Sequence, residues 1–164
     1  MDMEGIYRKS GASSQIQAVR DGFERSPDYD ISDPDLDIHA VTSALKQYFR
    51  KLPTPLITYN VYDKILETND ITPDSARIEA LQNCLKDLPR VHRDVLEFLM
   101  FHLKRVVEHE KENLMNSQNM AVVFAPTIMR PETLAREMTD VQKKNEALKF
   151  LIENCQEVFM GMQN

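Results

Sequence analysis

Apolar residues recur every three or four positions along most of the chain, the period of helices buried on one side. Residues 12–25 carry Ile16, Val19 and Phe23 at this spacing, with Ser13 or Ser14 placed to cap the start. Turn-prone Ser26, Pro27, Asp28, Tyr29 and Asp30 end that helix, and the acidic residues 32–37, with Pro34, form a loop. Residues 37–51 are strongly periodic: Ile38, Val41, Leu45, Tyr48, Phe49 and Leu52 make an apolar stripe, and Asp37 can cap it. Pro53 and Pro55 stop this helix. Residues 59–66 predict a short helix with Val61, Tyr62, Ile65 and Leu66 inward. Thr72 followed by Pro73 marks another start, with threonine as cap and proline in the first turn, for a helix carrying Ile78, Leu81, Leu85 and Leu88.

Pro89 opens the longest pattern, residues 89–111, with Val91, Val95, Phe98, Leu99, His102, Leu103 and Val106 on its buried side. Ser117 can cap a short helix that Pro126 ends. Residues 120–124 are apolar all round, so this helix belongs at the centre. Its valines would also suit a strand, but no second strand is present to pair with it. Residues 126–136 are irregular. Thr139 and Gln142 stand at capping-box spacing before a last helix that runs to Met162, with Val141, Leu148, Leu151, Ile152, Cys155 and Phe159 inward. The pattern predicts a single all-α domain of about seven helices, without repeats or low-complexity segments.

Composition narrows the function. The 164 residues suffice for one domain with a substantial core. No apolar run approaches the roughly 18 residues of a membrane-crossing helix, so no transmembrane segment is expected. Met1-Asp2-Met3-Glu4 lacks the basic and apolar stretches of a signal peptide. Cys84 and Cys155 both fall in helical patterns, which suits a reduced, cytoplasmic protein. The formal charge of −6 argues against general nucleic-acid binding but leaves room for a local basic patch. A monomer is expected.

Several chemistries lack their residues. No Gly-x4-Gly-Lys-Ser/Thr loop exists to cradle phosphates, so the chain should bind no nucleotide by itself. His109-Glu110-Lys111-Glu112-Asn113 begins like a zinc-protease helix but lacks the second histidine and reads as a solvated charge run. His39, His92, His102 and His109 are scattered, and His102 reads as a hydrogen-bonded interior residue. Neither a metal nor a cofactor is expected, and no nucleophile stands with a base.

What remains is a set of cations and one asparagine. Glu4-Gly5-Ile6-Tyr7-Arg8-Lys9-Ser10-Gly11 has two glycines bracketing a short loop. With Ile6 and Tyr7 pinned to a core, Arg8 would reach outward, and a planar, permanent guanidinium suits phosphate or carboxylate. It reads equally as a solvated surface charge. Lys46 and Arg50 stand at i and i+4, a like-charge pair that costs a few tenths of a kcal/mol in a helix unless something anionic answers it. Asn119 interrupts a buried helix and must find partners. Local acids could pair the two cations, and neighbouring backbone could satisfy Asn119.

Three blocks together resemble one family. The opening octet is similar to the first motif of Rho GTPase-activating (RhoGAP) domains. Ala44-Leu45-Lys46-Gln47-Tyr48-Phe49-Arg50-Lys51-Leu52-Pro53-Thr54-Pro55-Leu56 resembles their second, and Asn113-Leu114-Met115 through Asn119-Met120-Ala121-Val122-Val123-Phe124-Ala125-Pro126-Thr127 their third. The order and separations match, and the wording, as in His102-Leu103-Lys104 and Thr127-Ile128-Met129-Arg130-Pro131, is similar to chimaerin-like members. The resemblance implies a GTPase activator acting in trans on a Rho-family small GTPase in its GTP-bound state. Arg8 would be the arginine finger. Lys46 and Arg50 would support its loop and contact the partner, Asn119 would bind near the partner's switch regions, and Pro126 would shape that surface. Ala125 replaces a usual glycine, and Lys51 and Thr54 replace common acids. Family members also carry a helix before the finger loop, so the domain over residues 1–164 is expected to be truncated at its amino end. A non-catalytic GTPase-binding or scaffold module is the alternative reading.

Overall fold

The computed structural model describes residues 1–162, and among these no residue lies in a strand. Ten α-helices and one 3-10 turn follow in order. The first four are α1 (Ser13–Arg25), α2 (Ile38–Arg50), α3 (Tyr59–Glu67) and, after the 3-10 turn Thr68–Asp70, α4 (Asp74–Leu85). Then come α5 (Arg90–Glu108), α6 (Glu110–Asn113), α7 (Ser117–Ile128), α8 (Ala135–Thr139), α9 (Val141–Glu153) and α10 (Cys155–Met160). The all-α expectation holds, and the count rises from about seven because short helices form where periodicity is too brief to read. The last predicted helix is divided at Asn154, and α6 and α8 were read as a charge run and an irregular connection.

α7 sits at the centre, packed against α2, α5 and α9. Met120, Ala121, Phe124, Ala125 and Ile128 are all fully buried, as an all-round apolar helix demands. Pro126 does not end this helix. It lies inside it, and the helix runs on to Ile128. A proline ring brings no N–H, so the carbonyl of Val122, one turn back, loses its helical donor. Val122 and Pro126 are both exposed, on the side of α7 where that loss can be met by water.

The main core joins α3, α4, α5, α7, α9 and α10 with Ile6 and Tyr7 of the loop at residues 5–11. A second, smaller cluster joins α1 to α2 through Ile16, Val19, Ala40 and Ala44, with Tyr29, Leu36 and Val41 against it. Phe49 and Leu45 of α2 face the main core instead, so α2 belongs to both.

Several side chains turn the other way from expectation. On α5 the buried stripe is Leu96, Leu99, Met100, Leu103 and Val106, whereas Val91, Val95 and Phe98 are exposed. Tyr48, Phe23 and Val141 are exposed as well, Phe23 lying edge-on to Tyr29. The caps also differ. Asp37 does accept from the His39 N–H as expected, but Ala12, Pro73 and Asp140 occupy cap positions without a side-chain capping bond. Asn116, not Ser117, caps α7 by accepting from the Asn119 N–H. No helix among the described residues is long and apolar enough to cross a membrane.

Candidate functional site

The loop that carries Arg8 is fastened at both ends and in the middle. At its entry Gly5 has φ of +70°, a conformation glycine adopts freely, and its N–H donates to the Asn113 carbonyl at 2.8 Å. The Gly5 carbonyl then accepts from both Arg8 and Lys9 N–H at 2.9 Å, closing a tight turn. At its exit the Gly11 N–H donates to Ser43 Oγ at 3.2 Å. A Cβ on Gly11 would lie 2.6 Å from the Ala40 backbone, so the loop passes directly against α2.

Between the glycines, Ile6 and Tyr7 are each 4% exposed, which pins the chain immediately before Arg8. Tyr7 has φ of +71°, a left-handed conformation that costs an ordinary residue about 1–2 kcal/mol. Three contacts hold it there. Its hydroxyl bonds His102 Nε2 at 2.6 Å, its ring stands edge-on to Phe124 at 5.1 Å, and its carbonyl accepts from the Lys46 ammonium. Burial pushes the Tyr7 phenol up to about 12, so it remains a hydroxyl at neutral pH. Burial, together with Arg105 and the chain's amino group, pulls the His102 imidazole below its ordinary 6.5. A neutral ring with its proton on Nδ1 accepts the phenol's hydrogen at Nε2.

Arg8 itself is exposed, and no ion pair among the described residues engages Arg8, Lys46 or Arg50. The local acids that could have paired with these cations do not do so. Lys46 is half-buried and its ammonium is held below the usual lysine range, first by burial and then by the Arg50 charge beside it. The predicted neighbours at i and i+4 thus do feel one another, with Lys46 turned to the loop and Arg50 exposed.

Asn119 is not the buried asparagine that the pattern suggested. It is half-buried near the start of α7, where its amide donates to the Leu114 carbonyl at 3.3 Å. Asn119, Val122 and Pro126 follow one another at i, i+3 and i+7, on one outward side of α7. The buried asparagine is Asn113, with no exposed surface. Its amide donates to the Val106 carbonyl at 2.7 Å and the Met1 carbonyl at 2.9 Å, and its Oδ1 accepts from the Met115 N–H at 2.8 Å. Sequence reasoning missed Asn113 because it closes a run of charged residues. The signal that could have found it is the apolar Leu114-Met115 that follows directly, which puts the end of that run against a core.

The assembly is a raised cationic loop flanked by two helices. Two shallow depressions lie elsewhere, one lined by Lys64, Glu67 and Cys84, the other by Tyr48, Leu52 and Val91. A protruding guanidinium on a rigid base suits entry into a partner's site better than enclosure of a ligand.

Comparison with known proteins identifies the family. The RhoGAP domain family model matches residues 1–133. N-chimaerin of Homo sapiens is 45% identical over 158 residues, covering 94% of this chain and 34% of that protein. The probable Rho-type GTPase-activating protein 4 of Schizosaccharomyces pombe is 40% identical over 159 residues, covering 97% of this chain and 17% of that protein. The chain therefore spans about a third of the first relative and about a sixth of the second. Among solved structures, the BH domain from Graf, the GTPase regulator associated with focal adhesion kinase, superposes with a TM-score of 0.82 at 31% identity, covering 97% of this chain and 85% of that one. Human Rho GTPase activating protein 15 gives 0.86 at 31% identity, with 96% and 76% covered. Motifs, all-helical architecture and relatives lead to one conclusion: this chain belongs to the RhoGAP domain family.

Proposed function

We propose that this chain accelerates GTP hydrolysis by a Rho-family GTPase in its GTP-bound state, inserting Arg8 as an arginine finger in trans. The observation that carries the reading is the contrast at Arg8: its neighbours Gly5, Tyr7 and Gly11 hold the loop to Asn113, α2 and α5, while its side chain has no ion-pair partner among the described residues. Phosphoryl transfer spreads charge over the leaving and equatorial oxygens, and an arginine supplied in trans is worth roughly 10³–10⁵ in rate. At about 1.36 kcal/mol per decade that is about 4–7 kcal/mol. The partner supplies nucleotide, magnesium and the residue that orients water.

Lys46 fixes the loop through the Tyr7 carbonyl. Arg50 meets the partner's acidic groups, and Asn119 with Pro126 forms the flank that rests near its switch regions. The working domain extends beyond the matched residues, because α9 packs on α7 and completes the central layer. It acts as a monomer.

Single-turnover GTP hydrolysis by purified Rho, Rac and related GTPases tests the reading. The Arg8→Ala variant is expected to keep most of its binding and to lose about three decades or more of acceleration. Acceleration unchanged in Arg8→Ala removes that residue from the mechanism. Binding by the unaltered chain without any acceleration would instead favour the non-catalytic module.

A further inference from the structure

We propose that the Tyr7 hydroxyl and His102 Nε2 form a positioning device for Arg8, with His102 acting as a positioning residue that touches neither partner nor nucleotide. This rests on the reading of Arg8 as the finger and adds the element that aims it.

Tyr7 immediately precedes Arg8 and adopts φ of +71°, which a bulky side chain does not choose unaided. Released, the residue would return to an ordinary conformation, and the chain would leave it in another direction. Arg8 would then project from the same loop along a different line. Whatever holds Tyr7 therefore also sets the direction of the guanidinium.

The holding contacts refer the loop to different parts of the molecule. Lys46 ties the Tyr7 carbonyl to α2, whose Ala40 and Ala44 belong to the smaller cluster. His102 ties the hydroxyl to α5, the longest helix, between Leu99 and Leu103, which are both buried in the main core. The hydroxyl is the only polar atom on the ring, and burial obliges it to find a partner. Its 2.6 Å bond is directional, and the two rings meet edge to face at 79°. The edge-on contact with Phe124 resists translation but permits some tilt, whereas the hydrogen bond fixes the tilt. Neither end of this pair is needed for the loop to close, because the Gly5 and Gly11 bonds do that.

The test measures single-turnover hydrolysis by a Rho-family GTPase across a range of concentrations of this chain. Its two readouts are the maximal rate and the concentration for half-maximal effect. Tyr7→Phe keeps the ring and removes the bond, and His102→Leu removes the acceptor. Each is expected to lower the maximal rate by about 10- to 100-fold, the scale of a misplacement of about 1 Å, with the half-maximal concentration within about twofold. The double variant should be no slower than the slower single, since both remove one interaction. His102→Gln restores an acceptor oxygen and should recover most of the rate in the Tyr7 background. Unchanged maximal rates in both singles, or independent multiplication of their losses in the double, would overturn the proposal. So would a loss of rate matched by weakened binding. If the unaltered chain itself gave no acceleration, the finger reading would fail first.

Discussion

All the hydrogen-bonding capacity of the Asn113 amide that its surroundings can reach is used, and each partner is backbone. Removing it does not cost every partner equally. The Val106 carbonyl still accepts from His109, but the Met115 N–H, on a residue with no exposed surface, is left without an acceptor. The Asn113→Ala variant should therefore lose about 1–3 kcal/mol, the cost of one buried unsatisfied donor, read as a lower urea midpoint with unchanged slope. A loss near zero would show that water reaches Met115. Residues of this kind mark where the sequence was and was not legible. The cations were: Arg8, Lys46 and Arg50 stand on one loop and one helix, as spacing and motif required. The asparagines were exchanged, because a helical pattern places Asn119 on a buried helix without saying that its own side is the exposed one. The bond from Tyr7 to His102 joins positions too far apart in the chain for any local pattern to foresee.

Among the helices, α5 shows why the existence of an element is easier to read than its orientation. It has two apolar stripes, Val91, Val95 and Phe98 on one and Leu96, Leu99, Leu103 and Val106 on another. Periodicity finds both and cannot choose which meets the core. In α7 the proline was read as an end, yet the central packing of that helix outweighs one missing N–H. Caps were harder to place: Ser13, one of the two predicted caps, opens α1 itself, and Ala12 before it offers no side-chain bond. The meeting of the Arg8 loop with α2 is the element-scale contact most open to test. A methyl group on Gly11 would lie 2.6 Å from Ala40 backbone, which cannot swing aside as a side chain would. Gly11→Ala should force α2 from the loop and destabilise the domain by about 1–3 kcal/mol, measured by thermal unfolding. A variant as stable as the parent would mean that α2 moves freely by a few tenths of an ångström.

Across the whole molecule the two apolar clusters are unequal. The main core draws on seven helices, α2 included, and the smaller one on α1 and α2 with their connecting loop. Stability is distributed accordingly, since a helix secured by few buried contacts opens before the core does. Native-state hydrogen exchange should find amides of α1 opening at clearly lower free energy than those of α5 and α7. Equal opening energies throughout would show that α1 is part of one cooperative unit. The single all-helical domain was legible because its long stripes are numerous, while the division of its interior was not, because α2 carries residues for both clusters in one continuous pattern. That same helix also grips the Arg8 loop, its Lys46 ammonium donating to the Tyr7 main-chain oxygen. Every amino acid possesses that atom. Mutation at position 7 can therefore rewrite the ring without unfastening the loop. One clasp asks only for a peptide oxygen at position 7; the other needs that residue's own hydroxyl and is lost whenever it changes.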